Sequence, residues 1–197
     1  MNHPVRRFTA SRVLIVLLAA VPLPLSGCED PAGQLELYAA QAKTSRAGAG
    51  ANLVVAFKAE QITADDAITL AHQKLDAGED ATAFAGAVLD MLLAVEDKLP
   101  QGGEFELFWM RVGQLAFRAA LTAYNHHRPD EAMTLVFAGP RRWQTDAYWQ
   151  KSQNHDALAS IILSDNGRRS EAIARLQGRP DLDGPALEMY EKLTGRR

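Results

Sequence analysis

The chain reads as an all-α protein. From Leu53 onward alanine and leucine recur at helical rather than alternating spacing, and no alternating run of β-branched residues rivals them. A turn-plus-helix pattern also returns forty residues later in the C-terminal half. The expected architecture is a set of helical hairpins, stacked as a short α-solenoid or gathered into an irregular bundle, behind a segment that is removed. With 197 residues, 47% of them hydrophobic, the chain can bury one domain-sized core.

The first element is an export signal. Arg6, Arg7 and Arg12 stand without an acidic residue, followed by the apolar run Val13 to Val21, then Pro22, Pro24 and the small pair Ser26-Gly27. The run is too short to span a bilayer, which takes roughly 20 apolar residues. The prolines remove amide donors and favour an extended approach to a cleavage site. The chain's 1 cysteine, Cys28, follows immediately, so no intramolecular disulfide can form. The tetrad Leu25-Ser26-Gly27-Cys28 resembles the lipobox of bacterial lipoproteins. That resemblance implies removal of residues 1 to 27, a diacylglycerol thioether on Cys28, and acylation of the new amine. Two or three acyl chains anchor stably where one holds only reversibly. Glu29, in place of the aspartate that favours inner-membrane retention in enteric lipoproteins, implies an outer-membrane location facing the periplasm.

Cleavage there leaves 170 residues with 18 basic against 24 acidic, a net charge of −6. That balance argues against a nucleic-acid partner. The charge is uneven, with 14 acidic and 5 basic residues over 28–110 but 10 acidic and 13 basic over 111–197. Such asymmetry gives the molecule an electrostatic direction unless it merely reflects differing solvated faces.

Residues 28–52 read as a lipidated N-terminus and a linker: a possible helix from Gln34 to Arg46, then Ala47-Gly48-Ala49-Gly50-Ala51, whose glycines favour a flexible tether. The helical domain is expected over 53–197. Thr63 predicts a helix start, with Asp65 and Asp66 at the positive end of the dipole, a buried stripe of Ile68, Leu70, Ala71 and Leu75, and Gly78 as the stop. A second helix is predicted from Asp80 to Asp97, its apolar side formed by Phe84, Val88, Leu89, Leu92 and Val95. A third runs from Glu104 towards His126 through Phe105, Phe108, Trp109, Val112, Leu115, Ala116 and Leu121; it is apolar on more than one side, as a helix packed between two neighbours would be. A last helix is predicted from Pro185 to Leu193 behind an Asp183 cap.

The echo pairs Asn125 to Met133 with Asp165 to Ile173, and Gly139-Pro140 with Arg179-Pro180. A turn, Glu-Ala-apolar, and a helix ended by proline resembles tetratricopeptide-type hairpins. The spacing of 40 departs from that family's roughly 34, and His127 stands where the other copy has Gly167. The resemblance implies that Ala132 and Ala172 open the second helices where backbones cross, and that Gln114, Tyr124 and Asn125 in one copy and Asn154 and Asp165 in the next line a partner groove. Composition adds Arg141, Arg142, Trp143 and Trp149, since arginine beside tryptophan is enriched at interface hot spots; the alternative is that the rings close the core between hairpins.

Catalytic and metal signatures are missing: no nucleophile elbow, phosphate-cradling loop or zinc-protease helix. His126-His127 beside Asp130 and Glu131 fits an interhelical turn better than a metal site, because adjacent side chains on a helix diverge by about 100°. Glu104 and Glu106 fit first-turn acids. No cofactor is expected. The expected function is a membrane-anchored envelope lipoprotein acting as a non-catalytic scaffold for another envelope protein or peptide, in assembly or secretion. The competing class is a cell-wall enzyme or glycan-binding lipoprotein using exposed tryptophans as sugar platforms.

Overall fold

Helices of 8 to 20 residues build most of the described chain. The structure is a computed structural model that describes residues 30–101, 105–140, 142–143, 153–179 and 181–196. The leader and Cys28 lie outside the described residues. Among the described residues the helices are α1 (Pro31–Ala42), α2 (Arg46–Lys58), α3 (Ala64–Asp76), α4 (Thr82–Ala94), α5 (Glu106–Asn125), α6 (Pro129–Val136), α7 (Gln153–Asp165), α8 (Arg169–Gln177) and α9 (Gly184–Thr194), with a 3₁₀ turn at Glu96–Lys98. No strand occurs among them, and none of these helices is long and apolar enough to cross a membrane.

The first correction concerns the segment expected to be a tether. Asp30 caps α1 by accepting from the amides of Ala32 and Gly33, and Ser45 caps α2 by accepting from Gly48. The Ala47–Ala51 run therefore sits inside α2, with Ala49 and Leu53 fully buried. Glycine disfavours a helix when the helix stands alone, but here small side chains let α2 lie close on α4. A Cβ added to Gly50 would stand 3.5 Å from the carbonyl oxygen of Ala87. Tertiary packing outweighs the local preference.

The Thr63 start and Gly78 stop of α3 are as predicted: the Thr63 hydroxyl accepts from the Asp66 amide, and Gly78 takes φ +75°. Ile68 and Ala71 are fully buried, while Leu70 and Leu75 are half-buried. The predicted stripe of α4 is buried too, but so are Ala85, Ala87 and Met91 on its other sides. It is therefore α4 that sits at the centre, against α1, α2, α3 and α5. α5 packs on α3, α4, α6 and α7, as its multi-sided pattern implied, although Phe105 and Leu121 remain exposed. Asp183 holds the N-cap position of α9 without a capping bond from its side chain.

Four helices end in one and the same turn. After α2, α3, α5 and α7 the chain makes a six-to-one and a five-to-two backbone bond: Gln61 to Ala56 and Glu60 to Phe57, Glu79 to Lys74 and Gly78 to Leu75, Arg128 to Ala123 and His127 to Tyr124, Arg168 to Leu163 and Gly167 to Ser164. The residue in the left-handed region is Glu60, Gly78, His127 or Gly167, with φ of 59°, 75°, 58° and 73°. His127 thus does the conformational work of Gly167. Four residues after the N-cap, the buried residue is Ala49 in α2, Ala67 in α3, Ala85 in α4, Ala132 in α6 and Ala172 in α8, each 0% exposed.

The odd-numbered helices form one layer, α1 packing on α3, α3 on α5, α5 on α7 and α7 on α9. α5 packs on both α3 and α4, α7 on both α5 and α6, and α9 on both α7 and α8. From α3 onward each hairpin is laid on the one before. The first hairpin differs, since α2 packs against α4 rather than α3. The main core runs from Leu35 to Ile162, and a second, smaller cluster of Ala157, Leu163, Ala172, Leu176, Ala186 and Leu193 joins α7, α8 and α9. α7 serves both cores with opposite faces.

Candidate partner-binding surface

Two residues singled out from consecutive hairpins meet. Tyr124 ends α5, Asp165 ends α7, and the Tyr124 hydroxyl donates to Asp165 Oδ2 at 2.6 Å. That bond, with a lesser contribution from burial, pushes the phenol up to about 12, so it stays protonated and donating. The pair lines an open depression of about 420 Å³ with Ile161, Ser164, Arg169, Met189, Lys192 and Leu193. Arg169 is fixed there by two bonds from its guanidinium to the Leu193 carbonyl oxygen, at 3.1 and 2.6 Å. An apolar floor of Ile161, Met189 and Leu193 is thus rimmed by one carboxylate and two cations, a mixture suited to a peptide bearing both apolar and charged groups.

The other candidates separate. Asn125 is exposed beside Tyr124, and Gln114 is half-buried on α5. Asn154 is exposed in the first turn of α7, about 16 Å along that helix from Asp165. Arg142 is half-buried, bonds Gln101 and stacks over the Trp109 ring at 5.2 Å. Trp143 is 1% exposed and donates from Nε1 to the Ala138 carbonyl oxygen at 3.1 Å. Trp143 thus closes the core between hairpins, the second of the two expectations, where a side chain as large as tryptophan contributes most, while half-buried Arg142 lies against the Trp109 ring. Arg141, Trp149 and Cys28 lie outside the described residues. Like Trp143, Trp109 is buried, at 2% exposed, so neither of these two rings is open to a sugar.

His126 and His127 are exposed in the α5–α6 turn, with His126 Nδ1 3.6 Å from Asp80. No group of three or more potential metal ligands occurs among the described residues. Glu106 is a first-turn acid of α5, and Glu104 lies outside the described residues.

The charge asymmetry is partly internal. Arg111 pairs with Asp65 and, at 2.7 Å, with Thr69; Arg118 pairs with Asp76 and donates to His72 Nδ1 at 3.2 Å. Arg128 reaches Asp80 at 2.8 Å. Cations of the basic half thus neutralise acids of the acidic half across the α3–α5 seam and the neighbouring turns. His72 completes the seam by bonding the Arg111 carbonyl oxygen at 3.2 Å, and burial holds its pKa below the ordinary value.

One buried polar cluster escaped the sequence reading. His155, 4% exposed, bonds the Val136 carbonyl oxygen at 2.9 Å and is ringed by Phe117, Phe137 and Trp143. Desolvation pushes its pKa down to about 4. Asp156, 8% exposed, pairs with Arg175 at 2.8 Å and with Arg179, while the Arg175 guanidinium lies 4.8 Å from the centre of the Phe137 ring. Only the one-turn spacing of Arg175 and Arg179 hinted at a shared acid, and nothing local named Asp156. The cluster is largely shielded from solvent, with Arg175 keeping 31% of its side chain accessible, and ties α6, α7 and α8 together. Compared with known proteins, the chain matches no family model, no curated protein and no solved structure.

Proposed function

We propose that the chain is an envelope lipoprotein anchored through Cys28, with its stacked hairpins acting as a non-catalytic scaffold that holds a segment of another envelope protein during assembly or secretion. The address rests on the positive, apolar, small-residue leader ending in the chain's sole cysteine. The scaffold reading rests above all on one observation. Tyr124 and Asp165, from corresponding ends of successive hairpins, are joined at 2.6 Å in an open depression with an apolar floor and charged rim. The likeness to tetratricopeptide hairpins supports a peptide as occupant.

A photo-crosslinker placed at exposed Asn125, in the native envelope, should capture a discrete partner. Asp165→Lys should reduce that yield about tenfold, the loss of one or two charge-assisted bonds, with far-UV circular dichroism unchanged. Equal yield in both proteins removes the depression from the proposal. Cys28→Ser should shift the protein out of the membrane fraction and leave its leader uncleaved. Persistence with membranes after normal processing defeats the address.

A further inference from the structure

The absence of a tether between Cys28 and the helical stack has a geometric consequence. α1 begins at Pro31, its cap is Asp30, and Leu35 and Tyr38 are already buried, at 2% and 8% exposed. Two residue steps separate Cys28 from Asp30, a reach of at most about 7 Å. Any bilayer holding acyl chains on Cys28 lies close against the residues around the start of α1.

Those residues occupy one edge of the odd-numbered layer. The helices of that layer run parallel. Glu36 of α1 meets Lys74 of α3 at 2.8 Å, Asp65 and then Asp76 of α3 meet Arg111 and then Arg118 of α5, and Tyr124 of α5 meets Asp165 of α7. N-terminal ends therefore share one edge and C-terminal ends the other. From the N-terminal edge, where Asp30 and Ala32 of α1 lie beside Asp66 of α3, a depression of about 340 Å³ runs along the two helices past Leu35 and Leu70 to Gln73. Tyr124 lies 13 residues beyond Arg111, about 20 Å further along α5 and at the opposite edge. It also lies two hairpins away from α1 along the stack, since α1 packs on α2, α3 and α4.

The geometry points to a fixed orientation: the N-terminal edge around Asp30, Ala32 and Asp66 is apposed to the bilayer that carries the chain's own Cys28 lipid, and the Tyr124–Asp165 depression opens away from it. This rests on the lipidation proposed above and specifies which face of the scaffold a partner can reach. With a flexible linker either face could turn to the membrane. With two residue steps the domain has little freedom to roll.

The test uses the mature, lipidated protein in vesicles of phosphatidylethanolamine and phosphatidylglycerol bearing a headgroup-attached quencher. Because the natural cysteine is consumed by lipid, a cysteine introduced at exposed Ala32, Asp66, Asn125 or Lys192 carries a fluorophore at a single position. Fluorescence should be lost at positions 32 and 66 and retained at 125 and 192. Equal loss at all four, or greater loss at 125 and 192, overturns the orientation. Intact mass of the N-terminal peptide is measured on the same samples. Acylated Cys28 with equal quenching defeats the orientation alone, whereas an unmodified Cys28 defeats the address and the orientation together.

Discussion

His127 holds a left-handed conformation, φ 58°, that an L side chain enters at a cost, and it is exposed, so its ring makes no compensating burial. Replacing it with glycine removes that strain and adds some unfolded-chain entropy; the net expectation is a gain of about 0.5–1 kcal/mol in urea-unfolding stability. No gain would mean that His126 and His127 hold the turn by contacts of their own. His155 makes the opposite kind of prediction. Its folded pKa is about 4 against the ordinary 6.5, so between those values the unfolded chain binds more protons than the folded one. Its contribution is therefore whole above pH 6.5 and lost as pH falls towards 4, up to roughly 3 kcal/mol in all. The wild type minus His155→Gln difference in stability, measured from pH 7 to pH 4, should shrink across that window. A flat difference would sink the reading. Neither effect is visible to a sequence reading, because a histidine in a turn and a histidine in a core are the same letter until the ring's neighbours are known.

Helix α2 shows where local rules mislead. Its Ala-Gly run has the composition of a linker, yet it forms the second half of a hairpin because α4 supplies a partner face of alanine and glycine. Gly50 and Gly86 look alike in sequence and differ in space. An added Cβ at Gly50 meets Ala87 at an ordinary 3.5 Å, whereas at Gly86 it falls 2.6 Å from the Arg46 guanidinium, which is paired with Asp90 at 2.8 Å. Gly50→Ala should raise the midpoint of thermal unfolding, in keeping with about 0.5–1 kcal/mol of helix propensity. Gly86→Ala must push Arg46 off Asp90, so its gain should vanish or reverse. If both substitutions stabilise equally, the α2–α4 contact is looser than described. The elements that were readable, α3 with its Thr63 cap and Gly78 stop and α4 with its apolar stripe, share a feature that α2 lacks: their own termini and stripe carry the signal without help from a neighbour. The echo at 40 residues was readable for the same reason, since the turn bonds around His127 and Gly167 are local. The echo singled out Tyr124 and Asp165 but not the bond between them, which, like the burial of Trp143, required knowing how hairpins stack.

Across the whole molecule the two cores differ in size, and the difference sets where the fold opens first. The main core gathers residues from α1 to α7 around α4, in which Phe84, Val88, Leu89, Met91 and Leu92 are each 2% exposed or less. The second core has six buried residues, three of them alanine, and much of the grip on α8 and α9 is polar: Arg175 and Arg179 on Asp156, and Arg169 on the Leu193 carbonyl oxygen. Burial of apolar surface contributes about 25 cal/mol per Å², so a cluster rich in alanine is held far less strongly than one of leucine, methionine and phenylalanine. Stability should therefore fall along the stack, with α8 and α9 opening as a unit while α2 to α5 stay closed. Native-state hydrogen exchange should give α9 amides the lowest opening free energies and α4 amides the highest, close to the global value. Asp156→Asn, which weakens both arginine pairs without enlarging any cavity, should speed exchange in α8 and α9 and leave α4 unchanged. Uniform protection from α3 to α9, or acceleration reaching α4, would mean that the two clusters act as one core and that the depression at Tyr124 and Asp165 is as rigid as the centre of the fold.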